Sequence, residues 1–198
     1  MMESVTVFGL GKVGSQIAYQ LAMDNHFGPI YLIESDEKTL EGHYNDLVQS
    51  IEVYNSDSYM QYGNDRLVCP TKPIPTDFYI ICAGTRIEHG NDRTLLFNKN
   101  KDIVEEILTM IAKVRKEDSI TFMVTNPSTE LTKLALDYIP NVLPVGNKVD
   151  NARLRLTKVS GSHEKPKINE QYKLVKDNKG YTNFAVTTEV MEILRRFR

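Results

Sequence analysis

The sequence predicts an α/β fold, a doubly wound parallel sheet with helices on its faces. Three observations carry this expectation. Apolar runs rich in β-forming residues alternate with segments of helical period. The first run, with Val5, Val7 and Phe8, passes through a glycine turn into a segment where Val13, Ile17 and Leu21 recur every four residues. Residues 78–83 form a continuous apolar run that stops at Gly84, the pattern of a strand buried on both faces.

The remaining elements follow in chain order. A second run, Ile30 to Ile33, ends at Glu34 and leads into a helix-compatible stretch through Leu40, Tyr44, Leu47 and Val48. Residues 67–69 read as a short third strand, and a polar, charged loop follows Gly84. Over residues 96–114, Ile103, Ile107, Met110 or Ile111, and Val114 trace one helix face. A strand at 120–124 is stopped by Asn126 and Pro127. A short apolar run at 142–145 precedes Gly146 and the charged, helix-compatible segment NKVDNARLR. Residues 158–179 are polar and lack a clear period, so partial order at best is expected there. The tail recovers a helical face in Val186, Val190, Ile193 or Leu194, and Phe197, closed by basic residues that suit a helix C-terminus. No internal repeat or low-complexity tract interrupts this order.

Composition narrows the classes of function. The 198 residues are 41% hydrophobic and 25% charged, with 24 Lys and Arg against 26 Asp and Glu for a net charge of -2. Such a chain buries a sizeable core, and its balanced charge supplies no field for nucleic acid or an anionic membrane. The opening MMESVTVFGLGKVG contains neither a secretory apolar region nor a span of about 20 apolar residues, so a cytoplasmic location is expected. Cys69 and Cys82 are not part of a CxxC pair or a metal-ligand spacing, and both are read as reduced strand residues.

The most specific local motif is Gly9-Leu10-Gly11-Lys12-Val13-Gly14, placed after a predicted strand and at the opening of a predicted helix. That context is the one a dinucleotide fingerprint requires. Gly9 permits the tight turn, Gly11 lets backbone approach a pyrophosphate, and Gly14 allows close helix-strand packing, while the helix N-terminus favours the anion. Lys12 and Val13 lie within the same turn. Glu34 stands 20 residues beyond Gly14 at the end of the second strand. An acid there accepts hydrogen bonds from the adenosine ribose and repels a 2′-phosphate, which favours NAD over NADP. The bland reading is a glycine turn with a surface Glu.

Five blocks then resemble the lactate and malate dehydrogenase family: GLGKVG, YLIESDEKTLEGHYNDL, AGTRIEHGNDRTLLFNKN, VTNPSTELT and VGNKVDNARLR. Their order and spacing match through about residue 157. The resemblance implies a Rossmann NAD-binding domain over residues 1–146 and a shortened substrate-domain remnant over 147–198. It also implies hydride transfer between nicotinamide and a 2-hydroxy or 2-oxo acid. Arg93 matches the arginine that closes over substrate and polarises its carbonyl. Asn126 matches an asparagine that hydrogen-bonds substrate and cofactor, Arg153 the arginine that binds the substrate carboxylate, and Asp150 the acid that orients the catalytic histidine. The resemblance implies that Ala83 and Gly84, at the start of the matched AGTR block, bind the cofactor. The bland reading of Asp150 and Arg153 is a surface ion pair one helical turn apart.

Substrate preference in the family depends on a loop position where gapless matching places Ile87. An aliphatic residue offers no partner for a second carboxylate, so an oxo acid with an apolar side chain fits better than oxaloacetate. A shift of one residue would place Arg86 there and reverse the preference.

The departures lie downstream. The family's catalytic histidine sits in a Gly-Glu-His-Gly motif, whereas here Gly161-Ser162-His163-Glu164 resembles it, 10 residues after Arg153 and without the following Gly. Gly180-Tyr181-Thr182 resembles a substrate-side Gly-x-Thr, with Thr182 as the matching residue, after another shortened interval. His26, His43 and His89 fall in segments with other roles. Two classes therefore stand open: a shortened NAD-dependent 2-hydroxyacid dehydrogenase using His163 as proton donor, or an NAD-binding protein without turnover derived from that family. A shortened substrate domain is also expected to leave apolar surface, and the resemblance implies a homodimer paired through the cofactor domain.

Overall fold

The computed structural model describes residues 2–24, 26–56, 64–85, 93–159 and 168–197. The strands β1 (Glu3–Phe8), β2 (Phe27–Ile33), β3 (Leu67–Val68), β4 (Phe78–Ile81), β5 (Ile120–Met123) and β6 (Val142–Pro144) form one sheet. All neighbouring strands are parallel, in the order β3-β2-β1-β4-β5-β6. This is the Rossmann arrangement, and strand order reverses between β1 and β4, where such sheets place their ligands at the carboxyl ends.

The helices are α1 (Gly14–Met23), α2 (Glu37–Ser56), α3 (Arg93–Val114), α4 (Ser128–Ala135), α5 (Asn147–Val159), α6 (Ile168–Lys179) and α7 (Phe184–Leu194). Because successive strand residues point to opposite faces, each apolar strand feeds two cores. On one face Val5, Val7, Phe78, Ile80 and Phe122 pack with Ile17 and Leu21 of α1 and Leu47 and Ile51 of α2. On the other, Phe8, Tyr79, Ile81 and Met123 pack with Val104, Leu108 and Ile111 of α3 and Leu131 and Ala135 of α4. From α7, Val190, Met191 and Leu194 enter the first of these cores, so the end of the chain is built into the sheet's own packing. Arg66 closes the C-terminus of α1 by donating to Ala22 O at 2.6 Å, Asp24 O at 3.1 Å and Phe27 O at 2.7 Å.

Several elements differ from the sequence expectation. The second strand begins at Phe27, earlier than Ile30, because Gly28-Pro29 reads locally as a turn although the pair lies within the strand. Helix α4 has too few apolar turns to announce itself, yet Leu131 and Ala135 are fully buried. Within 158–179, α6 is an ordered helix rather than an aperiodic segment. Its order comes from docking on α5, with Leu174 left 59% exposed, so no apolar stripe marks it. Cys69 and Cys82 are free thiols just beyond the ends of β3 and β4 rather than inside the strands.

Candidate functional site

The glycine turn joins β1 to α1 at the strand-order reversal. Gly9 has φ of +84°, and a Cβ there would lie 2.6 Å from the backbone N and Cα of Ala83. A Cβ on Gly14 would meet Gly9 O at 1.9 Å, so the helix and strand approach too closely for any side chain. Gly11 is different: its Cβ direction meets nothing within 4 Å. Two of the glycines are thus required by packing, and the third borders open space beside the helix N-terminus. Backbone N–H groups and the helix dipole there favour an anion.

Glu34 follows β2 and reaches back to this turn. Its Oε2 accepts from the Leu10 N–H at 2.7 Å, and its Oε1 accepts from the Ser35 N–H at 2.8 Å and the Ser35 hydroxyl at 3.1 Å. Burial pushes the carboxyl up, but hydrogen bonds from Leu10, Ser35 and Asp36 together outweigh it and hold Glu34 below its ordinary value of 4.5. Each carboxylate oxygen can accept two hydrogen bonds, so Oε2 retains capacity for a hydroxyl donor such as a ribose diol.

Across the turn, Ala83 and Gly84 follow β4. A Cβ on Gly84 would lie 2.7 Å from Thr125 Cγ2 and 3.0 Å from Asn100 Oδ1. Thr125 Oγ1 donates to Ala83 O at 2.7 Å, tying the ends of β4 and β5 together. Asn100, buried on α3, accepts from the Thr85 N–H at 2.7 Å and donates to Asn126 O at 2.8 Å. Sequence reasoning passed over both residues. A signal was present at Asn100, a carboxamide that its helix turns inward and that demands partners when buried.

The residues expected on the substrate side are placed unevenly. Asn126 is exposed at the end of β5. Arg93 opens α3 with its side chain 67% exposed, and its Nη2 donates to Glu130 Oε2 at 3.2 Å. Asp150 and Arg153 on α5 pair with each other at 2.8 Å, and the Arg153 guanidinium lies 5.3 Å from the centroid of the Tyr172 ring. Thr182 is half-buried in the turn between α6 and α7. The same turn meets the glycine turn, because Lys12 Nζ lies 3.9 Å from the centroid of the Tyr181 ring. Arg86, Ile87, His89 and His163 lie outside the described residues. His26 is exposed and contacts Asp24 at 2.8 Å through its ring nitrogen Nδ1.

Glu189 of α7 is a further residue that sequence reasoning missed. It is buried, and its Oε1 accepts from the Gly146 and Lys148 N–H groups at 3.1 and 3.2 Å while Oε2 accepts from Val149 at 3.1 Å. Those donors belong to the first turn of α5, so an acid from another helix caps the element that carries Asp150 and Arg153. Its local sequence carries little signal, because an acid next to Thr187 and Thr188 reads as a surface residue.

Burial pushes the Cys82 thiol far up, which leaves it protonated and unfit as a nucleophile. Among the described residues no group of three or more His, Cys, Asp or Glu is placed to hold a metal ion. No helix among them is long and apolar enough to cross a membrane.

This geometry agrees with what the chain is similar to. Residues 3–143 match the family described as lactate/malate dehydrogenase, NAD binding domain. The chain is 32% identical over 157 residues to the L-lactate dehydrogenase of Fervidobacterium nodosum, covering 77% of this chain and 48% of that protein. It is 31% identical over 135 residues to the malate dehydrogenase of Nitratiruptor sp., covering 68% and 41% respectively. Among solved structures, the malate dehydrogenase of Archaeoglobus fulgidus in complex with NADH superposes with a TM-score of 0.78 at 19% identity, covering 97% of this chain and 76% of that one. The chain therefore belongs to the lactate/malate dehydrogenase family, and its glycine turn and Glu34 fall within the residues that match that family's NAD-binding domain. It spans about half the length of the L-lactate dehydrogenases it matches, at 48% of the F. nodosum protein.

Proposed function

We propose that the protein is an NAD-dependent oxidoreductase acting on a 2-hydroxy or 2-oxo acid with an apolar side chain. The observation that carries this reading is the glycine turn with Gly11 bordered by open space and Glu34 fixed beside it, a combination that fits a dinucleotide with a free ribose diol. When bound, the nicotinamide supplies or accepts the hydride. Arg153 anchors the substrate carboxylate through its planar fork, which Lys cannot reproduce. Asn126 donates a hydrogen bond toward the substrate, Thr182 is a substrate-side residue, and aliphatic Ile87 favours an acid without a second carboxylate. His163 gives a proton to the carbonyl oxygen during reduction, Asp150 orients the imidazole, and Arg93 stabilises negative charge growing on that oxygen.

A second reading, an NAD-binding protein without turnover, draws on one specific observation. Asp150 Oδ1 accepts from Arg153 Nη1 at 2.8 Å, so each of the two is engaged with the other rather than directed to imidazole or carboxylate alone.

The test is NADH oxidation at high protein concentration with pyruvate, branched aliphatic 2-oxo acids and oxaloacetate, beside a His163→Asn control. Turnover with the apolar acids that falls about 10²- to 10⁴-fold in the variant supports the enzyme and its proton donor. Protein that binds NADH but turns over none of the panel supports the second reading.

A further inference from the structure

The turn between α6 and α7 brings an aromatic ring to Lys12 of the glycine turn and a second cation to that ring. Gly180, at φ +79°, ends α6 in the left-handed conformation that favours glycine, with its N–H donating to Lys176 O at 2.7 Å. The chain reverses there, and Tyr181 meets Lys12 of the glycine turn, with the Lys12 ammonium 3.9 Å from the ring centroid. Lys179 Nζ lies 4.8 Å from the same centroid. It also lies 3.7 Å from the centroid of Phe184 and donates to Asn183 Oδ1 at 2.7 Å. Asn183 is itself buried, so the anchor is rigid.

Every one of these partners is neutral. Among the described residues no carboxylate lies within ion-pair distance of Lys12 or Lys179. Two ammonium groups are held on one aromatic ring by cation–π and hydrogen-bond contacts, with no compensating carboxylate among the described residues. Like charges gathered in this way repel, and an arriving anion relieves that repulsion. The open space over Gly11 lies next to Lys12 in the chain.

We propose that Lys179 and Tyr181 belong to the diphosphate-binding site of the glycine turn: Lys12 and Lys179 together neutralise the diphosphate of the dinucleotide, and Tyr181 holds both ammonium groups at that position. Lys179 is a binding residue and Tyr181 a positioning residue. The C-terminal turn thereby contributes directly to cofactor affinity. This rests on NAD binding at the glycine turn and is independent of turnover.

The experiment measures affinity for NADH, ADP and adenosine, by fluorescence and calorimetry, in the full chain and in Lys179→Met, Tyr181→Leu and Tyr181→Phe variants. Lys179→Met is expected to weaken NADH and ADP about tenfold, the loss of one charge-assisted contact to phosphate. Adenosine, which has no phosphate, keeps its affinity. Tyr181→Leu reproduces the loss, whereas Tyr181→Phe retains binding because the ring face remains. Lys179→Met binding ADP as the parent does, or losing adenosine in equal measure, overturns the proposal while leaving NAD binding intact. A parent protein that binds neither NADH nor ADP overturns the proposal and the cofactor reading together.

Discussion

The backbone N–H of Leu10 donates to Glu34 Oε2 at 2.7 Å, so the acid that ends β2 also fixes the turn that ends β1. Both sit where the strand order reverses. One carboxylate therefore shapes the glycine turn and presents an acceptor beside it, and its removal affects both.

Replacing Glu34 separates NADH from NADPH less sharply. Glu34→Ala removes the acceptor for a ribose diol and the charge that repels a 2′-phosphate. The NADH-to-NADPH affinity ratio is expected to fall at least about tenfold, equivalent to about 1.4 kcal/mol. Parallel fluorescence titrations check this, and an unchanged ratio would remove Glu34 from the ribose site.

Acid should weaken the fold through the same residue. Glu34 is held below its ordinary 4.5, and Asp77 below its ordinary 3.8, because hydrogen bonds, with Lys116 and Ser4 as the partners of Asp77, outweigh the burial that pushes each up. A carboxyl with a depressed folded value contributes stability above its unfolded value and loses it as pH falls through the folded value. The thermal midpoint is expected to be level near neutrality and to decline below about pH 4.5, less steeply in Glu34→Gln. Identical slopes for parent and variant would deny Glu34 its share.

Two glycines of the same motif should fail in different ways. Gly14→Ala places a Cβ against Gly9 O at 1.9 Å and is expected to lower stability by about 3 kcal/mol or more, or to prevent folding. Gly11→Ala meets nothing within 4 Å and should keep the thermal midpoint while weakening NADH. Equal loss of stability in both variants would contradict the division between packing and ligand space.

Helix α7 is expected to be integral to the domain. Leu194 is fully buried in the core shared with β1 and α1, and Leu194→Ala should cost about 2–5 kcal/mol. Glu189→Ala removes three acceptor contacts from the start of α5 and should cost about 2–3 kcal/mol, with Glu189→Gln intermediate. Denaturant unfolding that leaves both variants within 0.5 kcal/mol of the parent, about the scale of an ordinary surface change, would show α7 to be peripheral.

The sheet was legible because its information is local. Ile80 sits in a continuous apolar run, Val5, Val7 and Phe122 sit in short β-forming runs broken only by a Thr, and GLGKVG binds its turn geometry to its spacing from Glu34. What escaped depends on partners distant in the chain. Helix α6 is ordered by α5 rather than by a stripe of its own, and Glu189 looks like a surface acid until Gly146, Lys148 and Val149 bring their N–H groups to it. Asn100 likewise acquires meaning only through Thr85 and Asn126, which belong to two different strand ends. Asp150 and Arg153 were legible as a matched spacing, whereas their mutual ion pair is a matter of side-chain geometry.

The most direct measurement is a single turnover with the protein in excess over NADH, started by adding an apolar 2-oxo acid and followed by NADH absorbance, with binding verified beforehand by fluorescence. Full consumption of the bound NADH is expected, slowed in Arg153→Lys and nearly abolished in His163→Asn. NADH that stays bound and unoxidised throughout would contradict the proposed reaction.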